Sequence, residues 1–151
     1  MTTTQPTPAP TPAPERPTTG KVSILMFSGT ADKFIPLGIL SQAAAALGME
    51  VDVFVTGFAL HGFTKEHHDL PFPAEFVAMA PALAQGMEAK HIESWDTMLR
   101  KAKELGAKVY ACSAMCEIMG LTKADFNDLV DDVVGAATFL EMAEHGETFF
   151  V

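Results

Sequence analysis

Residues 21–56 read KVSILMFSGTADKFIPLGILSQAAAALGMEVDVFVT, and this stretch decides the fold. Its first seven residues, Lys21 to Phe27, are a short apolar run with β-branched members, closed by Ser28, Gly29 and Thr30 as a buried strand closes in a turn. Ala31 to Leu47 is rich in Ala, Leu and Ile over a helical length, with Asp32 in its first turn and Gly48 just past its end. Met49 to Thr56 is a second strand, bounded by Gly57. Strand, helix and strand in that order form a βαβ unit, whose crossover is right-handed and whose strands pair in parallel.

Downstream the alternation continues after an interruption. Gly57 to Lys90 carries Pro71, Pro73 and Pro81 and the pair His67 and His68, and reads as a long loop with short helical pieces: a lid, a binding segment or an oligomer contact. Ser94 to Leu105 is helical and stops at Gly106, and Ala107 to Ala111 is a strand running into Cys112. Ala114 to Met119 is a helix or helical turn ended by Gly120, and Thr122 to Leu129 opens with an N-cap residue and is expected to be helical. Asp132 to Val134 is a short strand, Gly135 to Glu144 a helix, and Thr148 to Val151 an edge or interface strand. The pattern predicts an α/β fold: a three-layer, doubly wound, mostly parallel sheet, in the flavodoxin-like strand order.

With 151 residues, 48% of them hydrophobic and 19% charged, the chain suits one domain with an apolar core. We place that domain at 20–151. Residues 1–19 are Thr, Pro and Ala in the main, with six prolines from Pro6 to Pro17, and are expected to be a disordered, extended tail. A formal charge of −9 opposes any phosphate-neutralising face, so nucleic acid is not an expected partner. No stretch has the length of uncharged apolar residues that a membrane span requires, and none has the form of a signal peptide. Two closely spaced cysteines suit reduced thiols better than a disulfide framework, so a cytoplasmic location is expected.

Ligands of open parallel sheets bind beyond the carboxyl ends of the strands, which directs attention to Ser28-Gly29-Thr30, Cys112 and Gly135 on one rim. Cys112 also opens a helical segment, where free amides and the helix dipole favour a thiolate, making it the candidate nucleophile. Most free cysteines are small buried hydrophobes, and the strand-end position is what separates Cys112 from them. Cys116 lies one helical turn on, sharing a face with Cys112; it reads equally as core or as an auxiliary thiol. Cys112, Cys116, His67 and His68 lack the paired spacing of structural zinc motifs, so no metal is expected. One glycine after the first strand matches neither a dinucleotide fingerprint nor a phosphate loop, although its backbone has the position to cradle a small anion.

The segments KVSILMFSGTADKF (21–34), MEVDVFVTGF (49–58), VYACSAMCEIMGLTKADF (109–126) and VVGAATFLEMA (133–143) resemble the DsrE/DsrF-like sulfurtransferase family, in its stand-alone branch often labelled peroxiredoxin-like. The most specific element is a strand-end cysteine, Cys112, eight positions before Gly120 of an MGL turn. The resemblance implies that Cys112 carries a persulfide and exchanges sulfane sulfur with TusA-like, rhodanese-like or lipoate-binding carriers in sulfur oxidation or trafficking. It implies no cofactor, and a homo-oligomer, trimer or tetramer. The threonine-proline-x-x-cysteine motif of true peroxiredoxins is missing, so peroxidase activity is not implied. Cys116 departs from the pattern of many members, and its role does not carry over. The residues leave open whether the chain turns over as a sulfurtransferase or is a non-catalytic sulfur-binding or redox-regulatory subunit using Cys112 and Cys116.

Overall fold

The computed structural model describes residues 20–66 and 70–151. The expected tail, at residues 1–19, and the pair His67 and His68 lie outside the described residues. The elements in chain order are β1 (Lys21–Met26), α1 (Ala31–Ala46) and β2 (Glu50–Val55); 3₁₀ segments Gly57–Phe63 and Ala74–Met79; α2 (Ala80–Ala89), α3 (Trp95–Glu104), β3 (Lys108–Cys112) and α4 (Ser113–Met119); a 3₁₀ turn Lys123–Asp125; β4 (Asp132–Val134), α5 (Ala136–Ala143) and β5 (Glu147–Phe150).

All strand pairs are parallel, and the sheet runs in the order β4-β3-β2-β1-β5. The doubly wound parallel sheet is as the sequence predicts, but the order is not the flavodoxin 2-1-3-4-5. From β1 to β4 the chain steps in one direction, so right-handed crossovers put α1, α3 and α4 on one face; the return from β4 to β5 reverses direction and puts α5 on the other. Strand alternation divides the core accordingly. Val22, Ile24 and Met26 of β1, with Val51, Val53 and Val55 of β2, pack with Phe34 and Leu37 of α1 and Leu99 of α3. The opposite face presents Phe54 and Cys112 to Phe139 of α5.

Two polar contacts tie down the frame. Asp131, just before β4, donates its amide to the Val109 carbonyl (2.8 Å), while its carboxylate accepts from the Val109 amide (2.8 Å) and Lys103 Nζ (2.6 Å), docking the edge strand on β3 and α3. At the amino ends of the strands, Lys21 bridges Asp52 and Glu50 at 2.7 Å each, which satisfies the buried Asp52 carboxylate. Burial pulls the Lys21 ammonium down, but hydrogen bonds and attraction from Asp52 and Glu50 outweigh it and hold the group above its usual range.

The segment 57–90 is more helical than the expected loop. Gly57–Phe63 is anchored through Phe63, whose ring meets Phe34 at 5.8 Å and Trp95 at 5.4 Å. By contrast α2 buries none of its residues, and Phe76, Val77 and Met79 before it are exposed. Thr122–Leu129 is not the expected helix. Thr122 and Asp125 do form a reciprocal capping box, but one 3₁₀ turn follows, because Asn127 donates its amide to the Phe63 carbonyl (2.8 Å) and Phe126 and Leu129 turn into the core. Tertiary hydrogen bonding and burial override the cap.

Candidate functional site

Cys112 is the last residue of β3, paired with Val134 of β4, and also the N-cap of α4 with extended dihedrals (φ −70°, ψ 117°). The strand aims its side chain at the α5 face, the helix begins at Ser113, and Gly120 in the left-handed region (φ 67°) closes its other end. Gly135, the N-cap of α5, lies alongside: a Cβ built on it falls 3.9 Å from Ser113 Oγ. The rim expected from the sequence therefore brings Cys112 and Gly135 together.

The thiol is nonetheless covered. Cys112 is 6% exposed and belongs to a buried cluster with Phe54 and Phe139, whose rings stack with centroids 4.6 Å apart and planes 11° apart. Met115, Tyr110, Leu25 and Val134 complete the surround as partly buried neighbours. The strand-end position was legible in the sequence; the Phe54–Phe139 cover was not, since it joins β2 to a helix about 85 positions later through the reversal in strand order.

Cys116 is buried too, at 3% exposure, but in the other cluster, against the α1 and α3 side of the sheet. The expectation of a shared helix face fails because Cys112 precedes the first helical residue, so its Cβ follows strand geometry and not the helical screw. Both thiols are free. Burial pushes the Cys116 thiol above its usual range, and the neighbouring Cys112 adds to the push. Cys116 is thus held as a neutral thiol, a poor nucleophile.

Ser28-Gly29-Thr30 ends β1 on the same rim but lines a different feature. With Phe27, Phe58, His61, Thr64, Glu66, Leu70 and Pro71 it surrounds a cavity of about 690 Å³ from which Cys112 and Cys116 are absent. Two amides of the anion cradle expected there are already engaged: that of Ala31 donates to the Pro71 carbonyl (2.8 Å) and that of Lys33 to the Thr30 carbonyl (3.0 Å), and the residue between is the acidic Asp32. Among the described residues no group of three or more His, Cys, Asp or Glu is arranged to hold a metal ion. No helix among them is long and apolar enough to cross a membrane.

Comparison with known proteins bears on the family and the fold. A sequence model of the DsrE/DsrF/DrsH-like family matches residues 18–81 and 72–150. The chain is 29% identical over 147 residues to the "Sulfur carrier protein DsrE2" of Allochromatium vinosum, covering 82% of this chain and 92% of the relative. It is 26% identical over 151 residues to the "Uncharacterized protein YrkE" of Bacillus subtilis, covering 85% and 94%. Among solved structures, protein MTH1491 from Methanobacterium thermoautotrophicum has a TM-score of 0.54 at 13% identity, covering 87% of this chain and 99% of that one. The ychN protein from E. coli gives 0.53 at 9% identity over the same shares, so both attest to the fold alone.

Proposed function

The chain belongs to the DsrE/DsrF/DrsH-like family, and on that premise we propose that it carries sulfane sulfur as a persulfide on Cys112 and passes it between small thiol-bearing carrier proteins. The observation that carries the reading is the place of Cys112, at the carboxyl end of a central-sheet strand and at the first amides of a helix. The 29% identical relative named a sulfur carrier supports the same chemistry.

The Cys112 thiolate attacks the outer sulfur of a donor persulfide R–S–SH. A new S–S bond forms to Cys112, the donor's S–S bond breaks, and R–S⁻ leaves. An acceptor thiolate then attacks the outer sulfur of Cys112–S–SH and releases the Cys112 thiolate. Sulfane sulfur moves without any external oxidant or reductant, so neither metal nor organic cofactor enters the sequence. The family resemblance implies a donor and an acceptor of the TusA-like, rhodanese-like or lipoate-binding type, which the relative named a sulfur carrier supports. Cys116, protonated and on the other side of the sheet, stays out of the transfer. The exposed Leu140 of α5 and Phe149 and Phe150 of the edge strand suit a homo-oligomer.

Intact-mass measurement after polysulfide treatment tests this. Each added sulfur contributes about 32 Da. Wild type and Cys116→Ser take up such increments and Cys112→Ser does not. Full loading of Cys112→Ser sinks the assignment, and loss of loading in Cys116→Ser makes the two thiols an obligate pair.

A further inference from the structure

The cavity beyond β1 and β2 is separate from Cys112, and its construction points to a ligand of its own. Two exposed aromatics form its walls: Phe27 at 51% and Phe58 at 71% exposure. Single exposed apolar residues need no explanation, but these two are held in place by the backbone. A methyl group on Gly29 would lie 2.7 Å from the Phe58 carbonyl oxygen, and one on Gly57 would lie 2.9 Å from the Phe27 carbonyl oxygen. Gly57 is moreover at φ +54°, where side-chain-bearing residues are strained. The loops after β1 and β2 thus clasp each other through two glycines, each carrying one phenylalanine into the same concavity. At about 690 Å³ the space is within the range of small-molecule sites and lies beyond the strands' carboxyl ends, beside the reversal in strand order at β1.

Its polar lining selects the ligand. Among the described residues that line the space, Glu66 is the one Asp, Glu, Lys or Arg, and Ser28, Thr30 and His61 add hydrogen-bonding groups. At the start of α1 the Ala31 and Lys33 amides are engaged by the Pro71 and Thr30 carbonyls, and the Asp32 carboxylate in the same turn repels an anion. The chain's charge of −9 further disfavours a phosphate or carboxylate. Aromatic faces and a carboxylate, with no Lys or Arg among the described lining residues, are the recognition chemistry of a planar organic cation.

We infer that this cavity binds a planar heteroaromatic cation, stacked between Phe27 and Phe58 with its positive charge toward Glu66. The inference is independent of sulfur chemistry at Cys112.

Thioflavin T, a planar benzothiazolium, is the test probe, and anilinonaphthalene sulfonate its anionic counterpart. The titrations use full-length protein at about 0.15 M ionic strength, where charges beyond about 8 Å are largely screened. Thioflavin T should saturate at one per chain. Phe58→Ala should weaken it roughly 3- to 30-fold by removing one aromatic face. Glu66→Gln should weaken it roughly 2- to 5-fold, the scale of an exposed ion pair. Phe76→Ala, exposed but outside the cavity, should leave it unchanged. Phe58 is mostly solvated, so its removal leaves the fold intact, which a melting curve checks. Absence of saturable binding, indifference to Phe58→Ala, or equal weakening by Phe76→Ala overturns the site. Binding of the anionic dye as tight as that of thioflavin T, and lost in Phe58→Ala, overturns the assignment of charge.

Discussion

Replacing Phe139 by Ala should uncover Cys112 without touching Cys116. Phe139 is the buried residue of α5 and stacks on Phe54 over the Cys112 thiol. Removing a buried Phe side chain costs about 3–5 kcal/mol, and the aromatic pair accounts for about 0.5–1.5 kcal/mol of such a contact beyond its area. If the thiol reacts only from a state in which α5 has swung off the sheet, the alkylation rate is the intrinsic rate multiplied by the opening equilibrium. Every 1.4 kcal/mol taken from α5 docking then speeds the reaction about tenfold, so a loss of about 3 kcal/mol predicts roughly a hundredfold acceleration. The assay is iodoacetamide labelling under native conditions, quenched over time and resolved by peptide mass spectrometry. Cys116 serves as the internal reference, because it is buried in the cluster on the opposite face. Acceleration at Cys112 alone supports a local opening of α5. Equal acceleration at both thiols makes global unfolding the route, and an unchanged Cys112 rate means that Phe139 is not the barrier.

Asp131→Ala should destabilise the fold by about 1–3 kcal/mol, since it leaves the Val109 amide without its side-chain acceptor and Lys103 with the Leu129 carbonyl in place of a carboxylate; at about 2–4 °C per kcal/mol, thermal denaturation resolves the change. Gly57→Ala should cost more than Gly48→Ala. Both glycines have positive φ, but a methyl group meets the Phe27 carbonyl oxygen at position 57 and nothing within 4 Å at position 48; equal melting temperatures would refute the loop clasp. Cys116 gives a pH signature. Because burial raises its folded pKa above the unfolded value of about 8.5, its contribution to stability is complete below that pH and is lost as pH rises through the folded value. The melting-temperature advantage of wild type over Cys116→Ala should therefore shrink as pH rises above about 8.5, and a constant difference would contradict the burial argument.

The local elements were legible wherever a sequence pattern and its boundary residue coincide. The strands at 21–26 and 50–55 are apolar runs that stop at glycine-containing turns, and α1 runs from Ala31 to Ala46 with Gly48 at φ +79° behind it, as its sequence requires. Cys112 at a strand end was legible for the same reason. What the sequence withheld depends on partners far along the chain. Phe126 and Leu129 are three apart, a spacing that suits a helix as well as an irregular segment, and the choice is made by the Phe63 carbonyl and by the core. The strand order, and with it the face on which α5 lands, depends on β5 pairing with β1 and not with β4. The burial of Cys112 follows from that same choice, as does its separation from Cys116. In α2 helical propensity acts alone: ten residues adopt the helix and none is buried, a state that a proline-interrupted sequence reads as loop.

The pairing of β5 with β1 also sets an order of events in time. Val22 lies opposite Glu147, so this contact closes nearly the whole chain into one loop, whereas β1 to β4 assemble by stepwise neighbouring pairings. Contacts of such sequence separation form late, since the entropy of closure is lost before the contact repays it. This order predicts that β1 to β4, with α1 and α3, pair before the return crossover closes, which would leave Cys112 open on a bare sheet face in that interval. A pulse of alkylating agent during refolding should mark Cys112 at early times and lose access to it as α5 and β5 dock, while Cys116 is protected from the first phase onward.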